Sequence, residues 1–252
     1  MVGVFAVVGG IASCVGERPS IILPSRSDAS PSVEDGSTVS PSDDGATSCD
    51  ELCANAAAGM VCDGFDRAEP VGGVWSLAPT SNTDHMTLEG TGCDRAFFVH
   101  MGNPPSGGLS RMLQATLPAG DEVTADLDVR VAGKPGNWSP DGMKTLMTLK
   151  GADVQDAFLQ FAIDNAGFFV AAPSGARRRL PPLKDEWTHV RWVLKLTDGK
   201  LTVTVGDVTI PVDTTLGNTP SPSFFLVELG IRSTAGTGDL DARFDNVKVS
   251  SK

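Results

Sequence analysis

The chain has 252 residues, 20 Lys and Arg against 31 Asp and Glu, and a formal charge of −11 at neutral pH. Nucleic acids and anionic lipid surfaces are poor partners for so acidic a protein. Four Trp, eleven Phe and no Tyr supply its aromatic side chains.

Met1 to Ala12 is almost wholly apolar. The run matches a signal-peptide core in length and falls short of the roughly 20 residues that span a bilayer. It leads into Ile11-Ala12-Ser13-Cys14, a pattern similar to a bacterial lipobox. That resemblance implies residues 1–13 as a signal peptide, lipidation at Cys14 and attachment to a membrane through the lipid anchor. Val15 after the cysteine resembles the sorting signal of outer-membrane lipoproteins, so the expected location is the cell envelope.

Residues 15 to 48 hold nine Ser, four Pro, six acidic residues and no aromatic residue. Such a segment lacks the apolar surface to offset its ordering entropy, so residues 14–48 are expected to form a disordered tether. Residues 49–252 then form one folded domain. Cys49, Cys53, Cys62 and Cys93 lie at its start. Four cysteines in an exported chain imply two disulfides, with three pairings open. They are expected to staple a short Ala-rich turn of helix, near Asp50 to Ala58, onto the first strands.

From Val61 onward the chain reads as short strands punctuated by Gly, Pro, Asn and Asp. Between Glu122 and Ala132, the apolar Val123, Ala125, Leu127, Val129 and Val131 alternate with Thr124, Asp126, Asp128 and Arg130, which turns one face to a core and the other to water. The run Arg177-Arg178-Arg179, between Gly175 and Pro181, reads as a solvated loop. Trp187 to Leu196 alternates again, placing Val190, Trp192, Leu194 and Leu196 on the core face. Asp198-Gly199 then turns the chain into a hairpin. Near the C-terminus the apolar phase shifts between Phe244 and Val247, which predicts a β-bulge at Asp245-Asn246. More than ten such strands predict an all-β, two-sheet antiparallel sandwich.

Three stretches resemble the concanavalin A-like lectin and glucanase superfamily in its laminin-G-like form: VCDGFD with Trp75 nine residues on, EWTHVRWVLKLTDGKLTVTVGDVTI, and ARFDNVKVS. The resemblance implies a jelly roll over roughly residues 61–250. Fold alone does not assign activity. The glucanase branch carries closely spaced acidic residues on one strand, and no such set occurs here. The expectation is therefore a head without enzymatic activity that binds extracellular or envelope glycans, with a protein-contact or structural module of the same fold as the alternative and a glycoside hydrolase or polysaccharide lyase as the less favoured one.

Sugar binding needs an exposed aromatic plane with polar neighbours, and Trp138 and Trp187 are the candidates, with His189, Arg191, Gln160 and Arg130 beside them. No cofactor is required. The superfamily resemblance also implies a structural calcium ion, with Asp245 on the last strand and Asp63 on the first as its expected ligands.

Overall fold

The computed structural model describes residues 52–102, 108–133, 142–152, 157–172, 177–214, 222–233 and 238–252, all within one unit, Gly45–Lys252. Cys14, Cys49 and Trp138 lie outside the described residues, as do the expected signal peptide and tether.

Among the described residues, fifteen strands form two antiparallel sheets. The first takes β3 (Met86–Glu89), β4 (Ala96–Met101), β15 (Leu240–Ser251), β6 (Glu122–Gly133), β11 (Thr188–Lys195), β12 (Lys200–Val205) and β13 (Val208–Asp213) in spatial order. Its eighth strand, β1 (Val61–Asp63), pairs with the second half of β15. The second sheet runs β2 (Ser76–Leu77), β5 (Leu109–Pro118), β14 (Phe224–Ser233), β7 (Lys144–Gly151), β8 (Ala157–Asp164), β9 (Gly167–Ala171) and β10 (Arg177–Arg179). Among the described residues no helix is long and apolar enough to cross a membrane.

The alternation read from the sequence becomes the core. Val123, Ala125, Leu127, Val129 and Val131 of β6 are buried, as are Val190, Trp192 and Leu194 of β11 and Leu196 beyond it. Phe65, Phe97 and Phe244 stack in series, with centroid separations of 5.5 and 6.0 Å. Trp192 stacks on Phe161 of the facing sheet at 5.7 Å, so both sheets contribute aromatic rings to a shared interior.

The predicted bulge is present. Asp245 pairs with Asp128 and Lys248 with Asp126, so β15 spends three steps where β6 spends two. Asn246 takes the left-handed φ of 52°, a conformation that Asn tolerates better than most residues. The extra residue re-phases the strand, and Val247 and Val249 return to the core.

Two local expectations change. Of the expected Ala-rich turn of helix, Leu52 is 3₁₀-helical and the described residues after it form a turn rather than a longer helix, closed by Ala56 N–H donating to the Cys53 carbonyl at 2.9 Å; the alanines there offer no broad apolar face to pack. Arg177–Arg179 is strand β10 rather than a loop, in register with Phe169–Ala171 of β9. Charged side chains are common on such an edge, where they discourage further pairing.

Cys53 and Cys62 are bonded, and Cys93 is also disulfide-bonded. The first bridge ties the turn to β1. Closing its loop of nine residues' separation is worth about 2.5 kcal/mol by chain entropy. Replacing both cysteines by alanine is expected to lower unfolding stability in urea by about that amount without changing the far-ultraviolet spectrum of the fold.

Candidate functional site

The polar residues of the two outer sheet faces differ in kind. On the eight-stranded sheet, His189 lies between Asp126 (2.7 Å) and Asp128 (2.9 Å), and Arg191 reaches Asp126 at 3.1 Å. Arg130 pairs with Asp185 at 2.8 Å, and Arg243 with Glu89 at 2.7 Å. These are half-exposed surface pairs, each worth under about 1 kcal/mol. Trp187, immediately before β11, is 47% exposed.

Of the residues expected to bind a glycan together, Trp187, His189, Arg191 and Arg130 share this surface. Gln160 does not join them, because β8 belongs to the other sheet. Strand alternation separates inward from outward side chains, but only strand order says which sheet an outward face belongs to.

On the outer face of the seven-stranded sheet, cross-strand register aligns Gln114 of β5 with Glu228 of β14, Glu228 with Thr148 of β7, and Thr148 with Gln160 of β8. Glu228 is 2% exposed although it points away from the sandwich core. Its Oε1 accepts a hydrogen bond from Lys150 Nζ at 2.8 Å. Its Oε2 lies 3.0 Å from Arg232 Nη2, an ion pair without hydrogen-bond alignment. A carboxylate so buried needs both cations, since removing it from water costs several kcal/mol.

Beside this triad, Thr148 is fully buried and its hydroxyl has no hydrogen-bond partner among the described residues. An orphaned hydroxyl costs about 1–3 kcal/mol unless a further group satisfies it. In the cross-strand row Thr148 is flanked by the Gln160 amide on one side and the Glu228 carboxylate on the other, below the accessible surface. On the same face, Phe224 of β14 is 39% exposed and offers an aromatic plane.

None of Gln114, Thr148, Lys150, Glu228, Arg232 or Phe224 stands out as a site residue from the sequence. Alternation in FFLVELGIR does show Phe224, Glu228 and Arg232 on one face, and that is the available signal.

Paired-carboxylate hydrolysis requires two carboxyl groups about 5 to 9.5 Å apart. The described residues of this face hold Glu228 and Asp164, two strands and four residues distant by register, roughly 16 Å.

The two residues expected to hold calcium are engaged separately. Asp63 forms an ion pair with Arg67 and accepts the Phe65 N–H at 2.6 Å. Asp245 accepts the Asn246 N–H at 2.7 Å. Among the described residues no group of three or more His, Cys, Asp or Glu side chains is placed to hold a metal ion.

Burial raises the Asp245 carboxyl from 3.8 to about 6, the Asn246 N–H opposes the rise, and the charges of Asp128, Asp66 and Asp94 add to it. Because the folded value exceeds the unfolded one, the folded state binds more protons between about pH 4 and pH 6, and stability falls as pH rises through that window. Asp245→Asn is expected to raise stability at pH 7 by about 1–2 kcal/mol and to flatten the slope. Thermal melts of both proteins at pH 5 and pH 7 check this.

No family model matches the chain, and no curated protein matches it. Solved structures do. A sialidase aligns with a TM-score of 0.56 at 14% identity over 77% of this chain, which spans only 18% of that protein. A cellulose-induced protein, Cip1, aligns at 0.54 and 15% identity over 76% of this chain and 97% of its own. An alginate lyase, A1-II′, aligns at 0.52 and 11% identity over 71% of this chain and 94% of its own.

These neighbours correct the expectation of a head without enzymatic activity. A structure titled alginate lyase shares the fold over 94% of its length, so a missing glucanase signature does not argue against catalysis. At these identities the likeness establishes architecture: the domain is a two-sheet jelly-roll sandwich with the concanavalin A-like fold.

Proposed function

We propose that this domain is a polysaccharide-active protein that seats a glycan chain across the outer face of the seven-stranded sheet and cleaves it there. The observation that carries the reading is the buried Glu228 carboxylate held by Lys150 and Arg232, beside a Thr148 hydroxyl that has no partner among the described residues. Buried charge on the outside of a sheet costs stability and contributes nothing to the core, and such arrangements concentrate at functional sites. Gln114 and Gln160 supply hydrogen-bonding groups for sugar hydroxyls, Glu228 and Lys150 the titratable pair, and Phe224 an exposed ring for a sugar face. The carbohydrate-active names among the fold's neighbours support the reading.

The test is incubation of the purified domain with a panel of acidic and neutral polysaccharides, followed by chromatography of chain length. Shortened chains from wild type, and none from Glu228→Gln at similar glycan affinity, are expected. A protein that neither retains nor shortens any of them refutes the proposal.

Export and anchoring belong to the same proposal. Lipidation at Cys14 would hold the head at an outer membrane, where polymeric glycans are encountered outside the cell. Labelling with a palmitate analogue, lost in Cys14→Ala, is the expected result; an unlabelled wild-type protein contradicts it.

A further inference from the structure

The proposed glycan face ends at an edge strand made of three consecutive arginines. In β10, Arg177 and Arg179 point to the same side as Gln160 and Thr148, because Arg177 lies opposite Ala171 and Ala171 opposite Gln160. Their guanidinium carbons both stand 5.0 Å from the centroid of the buried Phe169 ring. The ring is a platform that holds both cations at a fixed height above the sheet.

The two arginines are not equivalent. Arg179 is committed, with Nη1 and Nη2 donating to the two oxygens of Asp164 at 2.6 and 2.7 Å. Burial would raise the Asp164 carboxyl, but the Arg179 hydrogen bond, the Ala166 N–H and the charges of Arg179 and Arg177 outweigh it and hold it below its ordinary value. Arg177 approaches Asp164 only at 3.7 Å and is half exposed.

Arg178 alternates to the opposite side of the strand. Together with Arg177, Ala172, Pro211, Val212 and Asp213 it lines a cavity of about 360 Å³ where β10 faces β13, the edge strand of the other sheet. Three cations thus meet two carboxylates, one of them already chelated by Arg179. The result is a local positive excess on a protein of charge −11.

We infer that Arg177 and Arg178 form an accessory anion subsite, distinct from the Glu228 centre, that grips carboxylate or sulfate groups of an acidic polysaccharide where the chain leaves the sheet. The inference rests on the proposed glycan face and adds the class of glycan. Register places Arg177 three strands from Thr148, roughly 14 Å, so a short oligosaccharide at the centre does not reach the subsite while a polymer does. Guanidinium groups suit such ligands because they donate paired, charge-assisted hydrogen bonds to planar or tetrahedral oxyanions.

The experiment compares wild type, Arg177→Ala/Arg178→Ala and Arg177→Lys/Arg178→Lys for binding to alginate and to the same polymer with its carboxyl groups reduced, over a range of salt. Wild type is expected to prefer alginate and to lose affinity as salt rises. The alanine double variant is expected to bind alginate about tenfold more weakly, with a flatter salt dependence and unchanged binding of the reduced polymer. The lysine double variant keeps most of the salt dependence.

Equal alginate affinity and salt dependence in wild type and the alanine variant overturn the subsite and leave the glycan face standing. So does a preference of wild type for the reduced polymer. A loss of salt dependence in the lysine variant as large as in the alanine one marks a structural effect and also overturns it. Binding of neither polymer removes the glycan face and the subsite together.

Discussion

Gly230→Ala is expected to be among the most damaging single substitutions in the domain, costing about 3–5 kcal/mol. Gly230 lies in the middle of β14 with φ at 142°, a region that side chains rarely adopt. A Cβ there would stand 2.1 Å from the Arg111 carbonyl oxygen and 3.0 Å from the Met112 Cα. Both contacts are with the backbone of β5, so no side chain can rotate away to relieve them.

The position matters beyond packing. Gly230 separates Glu228 from Arg232 on the outer face, and the pairing of β14 with β7 shifts register between Leu229 and Arg232. Across that irregularity Arg232 Nη2 comes within 3.0 Å of Glu228 Oε2. A urea denaturation series measures the loss, and a Gly230→Ala variant as stable as wild type would mean that β14 and β5 are not held this closely. Where the variant still folds, separation of Arg232 from Glu228 is expected to reduce the proposed polysaccharide cleavage as well.

Glu228→Ala is the second large effect. Lys150 and Arg232 both direct their charge at this one buried carboxylate, and their own side chains are about one quarter exposed. Removing the carboxylate leaves two like charges facing a cavity. Breaking a fully buried pair costs about 3–5 kcal/mol; the partial exposure of both cations lowers the expectation to about 2–4 kcal/mol, because they can turn to solvent. The double variant Glu228→Leu/Lys150→Met removes one cation with the anion and is expected to recover part of the loss. Calorimetric melting of the three proteins decides it, and an alanine variant that melts with wild type would place Glu228 in water.

The same substitution separates stability from function. Glu228→Gln keeps shape and hydrogen-bonding capacity but not charge, so its loss of stability is expected to be smaller than that of Glu228→Ala. If cleavage uses the carboxylate, both variants are equally inactive despite their different stabilities. A glutamine variant as active as wild type would assign the carboxylate a purely structural role.

Much of the architecture was legible one strand at a time. The alternation of β6 and β11, the Asp198-Gly199 hairpin and the phase shift of β15 each depend on neighbours within about ten residues, where side-chain direction follows from the two-residue pleat. The same rule missed β10, because three arginines carry no alternation of polarity; the Phe169 ring of β9 lies beneath two of them, Arg177 and Arg179. It also grouped Gln160 with His189 and Arg191, since local pattern tells inside from outside but not one outside from another.

By itself, then, the sequence determined an acidic all-β sandwich, the inward residues of its strongly patterned strands and the bulge that re-phases its last strand. These are local consequences of pleat and polarity. The tertiary structure alone decided the row Gln114–Glu228–Thr148–Gln160, the enclosure of Glu228 by Lys150 and Arg232, and the meeting of two sheet edges at Arg178 and Asp213. Residues far apart in the chain become neighbours there through strand order and register, which are set by the packing of the whole sandwich and leave no mark on any single strand.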